Sequence, residues 1–336
     1  MKKIQSASPK KELRDSFGRH IEYVRLSVTD KCNMRCFYCM PEGFKGFEIP
    51  ENWLSFDEIE RVIAAFVDLG VTKVRLTGGE PLVRRNVTEL VSRLASLDGL
   101  DDLSMSTNAT LLHKYATALK SSGVSRINVS LDSLQEEQFA KVTGNGKLKE
   151  VLAGLQAAKE AKLSPIKINM VAMKGINDNE YIDIVKYCID MGFTLRFIET
   201  MPMGSTGRNA SDHYQDLAEV REQISNVFEL TPSVMSGGGP ARYYKIQGTD
   251  LNIGFITPIS QHFCETCNRV RLSVDGTLYL CLGDEHKVEL RHLLRAGISD
   301  EDLQQEIINA LDVKPLKHDF NEKPEKVMRF MSMTGG

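Results

Sequence analysis

Six times in the first two-thirds of the chain, a short segment rich in β-branched residues is followed by a longer amphipathic one. EYVRLSV (22–28), KVRLT (73–77), DLSMS (102–106), RINVS (126–130), IKINMVAM (166–173) and TLRFIE (194–199) read as strands. SFDEIERVIAAFVDLG, NVTELVSRLASL, LLHKYATALKSSG and the stretches near 147–162 and 179–190 read as helices. Ser55 with Glu58 forms a capping box at the start of the first helix, and Gly70 stops it. Parallel strands need a crossover between them, so this alternation predicts a mostly parallel sheet covered by helices. Periodicity alone leaves an open twisted sheet and an incomplete barrel equally open.

The texture changes after residue 230. TPSVMSGGGP reads as a loop or linker. YYKIQ and LNIGFIT read as antiparallel strands joined by QGTD, and RLSVDGTLYLC as a hairpin about Asp275-Gly276. The stretch from about 288 to 312 reads as mostly helical, and the chain closes on SMTGG. A net charge of −3 over 336 residues argues against a general nucleic-acid binder, while leaving room for a small cationic pocket. MKKIQSASPKKELRD is basic without an apolar core behind it, and no stretch approaches a membrane span, so the cytoplasm is the expected location. Thiols stay reduced there, which makes the seven cysteines candidate metal ligands or core residues rather than disulfides. Cys188, on a predicted helix, is read as core.

Cys32, Cys36 and Cys39 follow directly after the first strand, spaced C-x3-C-x2-C. Three thiolates so close can wrap one loop around three irons of a cubane cluster, and no fourth cysteine is near. One iron is then left with an open position, the mark of a catalytic metal. A zinc knuckle is the alternative. Thr77-Gly78-Gly79-Glu80-Pro81 follows the second strand; its glycines would let backbone approach a ligand, and Glu80 would accept a hydrogen bond from an ammonium group. A second trio, Cys264, Cys267 and Cys281, again lacks an obvious fourth thiol. Structural zinc would need His262 or His286 to complete it; a second cluster with an accessible iron would not. Arg269 and Arg271 fall on one face of a strand, a pairing suited to phosphate oxygens.

The first trio and the GGEP element resemble the radical S-adenosylmethionine superfamily. Both trios, GGEP and the closing Gly-Gly, with RLSVTDKCNMRCFYCMP, VRLTGGEPLVRR, RINVSLDSL, KINMVAMKGIND, RFIETMPMG and FCETCNRVRLSVDGTLYLCL, resemble its GTP 3′,8-cyclase family through nearly the whole chain. The resemblance implies an α/β fold, an incomplete (β/α)6 TIM-type barrel closed by a C-terminal α+β region. It divides the chain into an N-terminal extension (1–20), the partial barrel (21–230) and a C-terminal region (231–336) carrying the second cluster and the Gly-Gly tail. It implies two [4Fe-4S] clusters, S-adenosyl-L-methionine as cofactor and GTP as substrate. Cys32, Cys36 and Cys39 would ligate the first cluster, and Cys264, Cys267 and Cys281 the second, whose free iron meets the guanine. Tyr38, Gly79, Ser130 and Met201 would contact S-adenosylmethionine. Arg25, Arg75, Ser106, Lys167, Arg269 and Arg271 would hold GTP. Arg196 would lie beside the substrate, and Gly335 and Gly336 would reach the active site.

The implied activity is that of a lyase. A deoxyadenosyl radical takes hydrogen from C3′ of GTP, and the sugar radical closes onto C8 to give (8S)-3′,8-cyclo-7,8-dihydroguanosine 5′-triphosphate, the first step of molybdenum cofactor biosynthesis. The implied partners are a reductant, the downstream cyclic pyranopterin monophosphate synthase and a second copy in a homodimer, with neither nucleic acid nor membrane. No G-x4-GK[ST] loop is present, which speaks against an ordinary GTPase. A peptide-modifying radical enzyme would have less use for Arg269 and Arg271, and a plain electron carrier would want four cysteines per cluster. One departure stands out: Thr107-Asn108-Ala109 replaces the family's Thr-Asn-Gly, and Ala takes positive φ less readily than Gly.

Overall fold

The computed structural model describes residues 12–235 and 239–335. Six parallel strands form its centre: β1 (Tyr23–Ser27), β2 (Lys73–Thr77), β3 (Asp102–Thr107), β4 (Arg126–Ser130), β5 (Ile166–Val171) and β6 (Thr194–Ile198). Six further strands follow: β7 (Leu230–Ser233), β8 (Arg242–Ile246), β9 (Asn252–Ile256), β10 (Arg269–Leu272), β11 (Thr277–Tyr279) and β12 (Lys287–Glu289). All twelve join one sheet in the order β12-β11-β10-β1-β2-β3-β4-β5-β6-β9-β8-β7. The later strands thus flank the first six on both sides. β9 runs parallel to β6, β10 runs parallel to β1, and antiparallel hairpins finish each edge.

The helices are α1 (Phe56–Asp68), α2 (Val87–Ala95), α3 (Leu112–Ser121), α4 (Glu136–Thr143), α5 (Leu148–Glu160), α6 (Tyr181–Met191), α7 (Gly204–Ala210), α8 (Leu217–Ser225), α9 (Arg291–Arg295), α10 (Asp300–Leu311) and α11 (Met331–Thr334). In α1 the capping box forms as read: Ser55 Oγ accepts from Glu58 N, and Glu58 Oε2 accepts from Ser55 N. Its buried residues Ile59, Val62, Ile63 and Phe66 sit at helical spacing and face the sheet. Cys188 is fully buried in α6, as a core residue.

Two local expectations are corrected, and one helix is added. The stretch 288–312 is not one mostly helical run. It starts in β12, and α9 and α10 are parted by Gly297 at φ +80° and a new N-cap at Ser299. Thr231–Ser233, read as loop, belong to β7, because the partner strand β8 supplies the ladder that their own composition does not advertise. Helix α4 went unread: it is short, and its cues are two glutamates in the first turn and Gly144 in the left-handed conformation at its end. Ala109 does take the strained geometry, at φ +63°. That costs ~1 kcal/mol or somewhat more, and burying the methyl group, which is fully enclosed, returns ~0.8 kcal/mol. The near-cancellation explains why Ala is tolerated there.

Candidate active site

The first cysteine trio lies on the loop leaving the C-terminal end of β1. Two contacts with the end of α4 hold this loop: Arg35 N donates to Thr143 O (2.8 Å) and Phe37 N to Val142 O (3.1 Å). On the other side it meets the GGEP turn, where Gly79 N donates to Thr29 O (2.8 Å) and Glu80 N to Lys31 O (2.9 Å). A Cβ on Gly79 would stand 2.4 Å from Lys31 O, and one on Gly78 2.2 Å from Thr29 O. These glycines admit the cysteine loop's backbone at close range. Glu80 ties this turn to the end of β3. Fully buried, its carboxylate accepts from Thr107 Oγ1 (2.8 Å), Asn108 N (2.6 Å) and Leu82 N (3.1 Å). Burial pushes it up to about 7 against these bonds.

The sulfurs suit metal ligation. Cys32 Sγ accepts from Met34 N (3.4 Å) and faces the Asn108 amide (3.7 Å). Burial pushes Cys32 up to about 11 and Cys39 to about 12; burial, then Cys39 and Cys32, raise Cys36, and Cys32 also raises Cys39. A thiolate so placed needs a metal's positive charge to be stable. Among the described residues no three His, Cys, Asp or Glu side chains converge on one ion. Thiols that each bind a different iron of a cubane need not converge. Tyr38 donates to Asp132 Oδ2 (2.7 Å), and Ser130 is exposed at the C-terminal end of β4, on the same side of the sheet as the trio.

The second trio lies at the opposite end. Cys264 and Cys267 precede β10 and Cys281 follows β11, next to the N-terminal ends of β1 and β10. At ~3.3 Å per residue, a five-residue strand sets the two ends roughly 15 Å apart. Backbone groups of His318, Arg269 and Gly283 lower Cys264, Cys267 and Cys281 respectively, as N–H donors to a thiolate do. Burial still holds Cys264 and Cys281 up, the latter to about 11. Cys267 falls below its ordinary value although burial opposes it, because Lys314 and Arg269 stand close. Of the two histidines considered as zinc ligands, His286 is exposed and bonded to Asp284; the histidine that lines the site is His318.

The second trio opens onto a cavity of about 1070 Å³, mouth included, lined by residues of β1, β2, β5, β6, β9 and β10; none of the first trio's cysteines lines it. Strands so far apart in the order can share a cavity only if the sheet curls. Arg25, Arg75, Arg196, Met201, Arg269, Arg271 and the three cysteines of the second trio all line it. Lys167 lines an adjoining cavity with Lys73, Arg75, Arg126 and Arg196. Ser106 belongs to neither lining; it is half-buried beside Asn128 in register. Gly335 sits against Thr77 at φ +72°, where a Cβ would stand 2.1 Å from Thr77 Oγ1. Its carbonyl accepts from Arg271 Nη1, so this arginine, expected on phosphate, holds the tail here. Gly336 lies outside the described residues.

Register explains the charge. Arg271, Arg25 and Arg75 are directly opposite one another on β10, β1 and β2. Like charges so placed repel. Arg75, Arg196, Arg271 and Lys167 are almost fully buried. Among the described residues, none of these four nor Arg25 has a carboxylate within ion-pair distance. Burial, with the neighbouring arginines, drives Arg75 down to about 9 and Arg271 well below its usual range. A guanidinium keeps its proton in proteins, so what relieves this pressure is an anion. The residues that sequence reasoning missed are Tyr23, whose ring lies 5.4 Å from the Arg75 and 5.8 Å from the Arg269 guanidinium, and also Lys73, Arg126, Asn169 and Tyr243. Tyr23 and Lys73 each stand two positions before an identified arginine, which on a strand means the same face.

Lys167 gives the site a pH dependence. Burial first, then Arg196, Arg126 and Arg75, hold it down to about 8 from 10.5. Below pH 8 it is charged, attracts an anion and costs the fold stability; as pH rises from 8 towards 10.5 that cost disappears, and so does the attraction. Binding of inorganic tripolyphosphate, followed by calorimetry, is expected to weaken about three- to tenfold between pH 7 and 9. Lys167→Arg should flatten that profile.

This arrangement has relatives. Residues 26–188 match the radical SAM superfamily model, and 193–320 match Molybdenum Cofactor Synthesis C. A GTP 3′,8-cyclase of Hydrogenovibrio crunogenus is 50 % identical over 331 residues, covering 96 % of this chain and 99 % of the relative. That of Paracoccus denitrificans is 46 % identical over 331 residues, covering 96 % of both. The chain belongs to the GTP 3′,8-cyclase family. Among solved structures, Streptococcus suis SuiB bound to S-adenosylmethionine is similar at TM-score 0.59 and 15 % identity, over 86 % of this chain and 68 % of that one. At that identity the likeness concerns the α/β fold with its parallel-rich sheet. Family membership also implies a [4Fe-4S] cluster and S-adenosylmethionine as this chain's cofactors.

Proposed function

We propose that this chain is a radical S-adenosylmethionine lyase that cyclises GTP to (8S)-3′,8-cyclo-7,8-dihydroguanosine 5′-triphosphate, the first step of molybdenum cofactor biosynthesis. The observation that carries it is the row of Arg271, Arg25 and Arg75 between two cysteine trios, with no carboxylate at ion-pair distance among the described residues. In this reading a triphosphate satisfies the row, and the rest of the nucleotide lies between two metal centres at the ends of a curled, incomplete barrel. When bound, the first cluster supplies the one-electron cleavage of S-adenosylmethionine. The chain's own residues do the remainder. Arg25, Arg75, Arg269, Arg271 and Lys167 neutralise and orient the triphosphate, with Ser106 further along β3. Arg196, steadied by Asn128 Oδ1 (2.6 Å), fixes the ribose side. Tyr38, Gly79, Ser130 and Met201 frame the cofactor, Cys264, Cys267 and Cys281 hold a second cluster facing the base, and the Gly335-Gly336 tail closes the channel to water. The division at residues 20 and 230, a cytoplasmic location, a homodimer, an electron-donating reductant and hand-over to cyclic pyranopterin monophosphate synthase belong to the same reading. Among the described residues no helix is long and apolar enough to cross a membrane.

The test is anaerobic reconstitution followed by incubation with GTP, S-adenosylmethionine and a reductant. About eight irons per chain, four for each cluster, are expected, together with 5′-deoxyadenosine and the cyclised nucleotide. Absence of both products from protein carrying that iron content would sink the assignment. Arg269→Ala with Arg271→Ala should weaken GTP binding at unchanged iron content; unchanged affinity would remove these two from the phosphate site.

A further inference from the structure

Lys314 stands beside the second trio and takes no part in the chemistry described so far. Its residue is 2 % exposed. Its Nζ donates to Arg269 O (3.2 Å) and Leu280 O and lies 3.9 Å from Cys267 Sγ. Arg269 is two residues from Cys267, and Leu280 immediately precedes Cys281. Among the described residues Lys314 has no carboxylate within ion-pair distance. The neighbouring Arg19, which donates to Cys264 O (2.8 Å), is by contrast neutralised by a buried ion pair with Asp15 (2.6 Å). A buried ammonium satisfied only by carbonyl groups and a thiol is unfavourable unless a negative group stands close. Three thiolates around a four-iron core supply one, and each electron that the core accepts adds another negative charge.

We propose that Lys314 is the counter-ion of the second cluster and raises its reduction potential, acting as a positioning residue for charge rather than as a ligand. The inference rests on the two-cluster reading above. The reduced core is the more negative form, so a fixed positive charge at the trio favours it. Potential at an iron–sulfur centre responds to local charge and hydrogen bonding in this way.

The experiment is an EPR-monitored potentiometric titration of the full-length, anaerobically reconstituted chain with dithionite and mediators. A Cys264→Ala, Cys267→Ala, Cys281→Ala variant assigns the signal of the first cluster. In Lys314→Gln and Lys314→Met the reduced fraction of the second cluster at fixed potential should fall about tenfold, or 59 mV for a one-electron couple. The first cluster should stay put, and Lys314→Arg should stay near wild type. A neutral variant with about eight irons and an unshifted second potential overturns the proposal, as does an equal shift in Lys314→Arg. Loss of the second cluster in both neutral variants but not in Lys314→Arg supports it. Loss in all three overturns it, because Lys314 is then a packing element. If wild type itself binds only about four irons, the two-cluster reading has failed, which is a different result from an absent shift.

Discussion

Gly79→Ala is expected to lose the first cluster, holding no more than about four irons per chain and yielding ~1 % or less of the wild-type 5′-deoxyadenosine. The reason is geometric. The added Cβ stands 2.4 Å from Lys31 O, 2.6 Å from Lys31 C and 2.9 Å from Asp30 O, all of them backbone atoms that cannot rotate away. Relief requires the GGEP turn and the Lys31–Cys32 segment to separate by about 1 Å, and displacements of that size cost about a hundredfold in a positioned reaction. Gly175→Ala is the control. Unlike Gly79 it has a positive φ, +72°, and its Cβ meets nothing within 4 Å, so the change adds local backbone strain without moving a ligand. Iron analysis and product quantification on both proteins separate steric displacement from general destabilisation. Full iron content and activity in Gly79→Ala would mean that the two loops slide freely.

Arg75→Met should move two measurements in opposite directions. Arg75 faces Arg25 in register and is 7 % exposed; among the described residues its partners are Ser104 Oγ (3.3 Å) and the Tyr23 ring. Replacing a buried, poorly compensated charge by an apolar side chain of similar length stabilises proteins by ~1–4 kcal/mol, so the ligand-free variant should melt a few degrees higher than wild type. Charge-assisted hydrogen bonds to an anion contribute ~1.5–3 kcal/mol each, so GTP affinity should fall by about one to two orders of magnitude. Thermal denaturation and calorimetry on the same preparation check the pair. A lower melting temperature would show that the arginine row is satisfied within the protein, and unchanged affinity would place the triphosphate elsewhere.

How far the sequence could be read depended on how local the signal was. The six central strands are short segments rich in β-branched and apolar residues with helices at regular spacing between them, and their limits agree with the structure to within a residue or two. The cysteine trios and the Arg269/Arg271 pair were legible because their spacing is short. What escaped was set by partners distant in sequence. Nothing near Glu80 shows that Thr107 and Asn108, arriving at the end of β3, will occupy its carboxylate. Nothing in 252–272 announces that β9 and β10 will pair with opposite members of the first six strands. Helix α4 could have been found from its terminal glycine, and finding it would have explained what braces the cysteine loop.

That placement of β9 and β10 has a consequence for how the molecule is made. Until residue 256 has left the ribosome the outer edge of β6, and until residue 272 that of β1, exposes unpaired amide and carbonyl groups along a parallel strand, a form prone to sticking to its neighbours. The nascent chain therefore cannot complete its first two-thirds as a finished unit and add the remainder afterwards. A fragment ending near 250 should aggregate rather than persist as a smaller protein, and splitting the gene at that boundary should succeed only when both pieces are synthesised together.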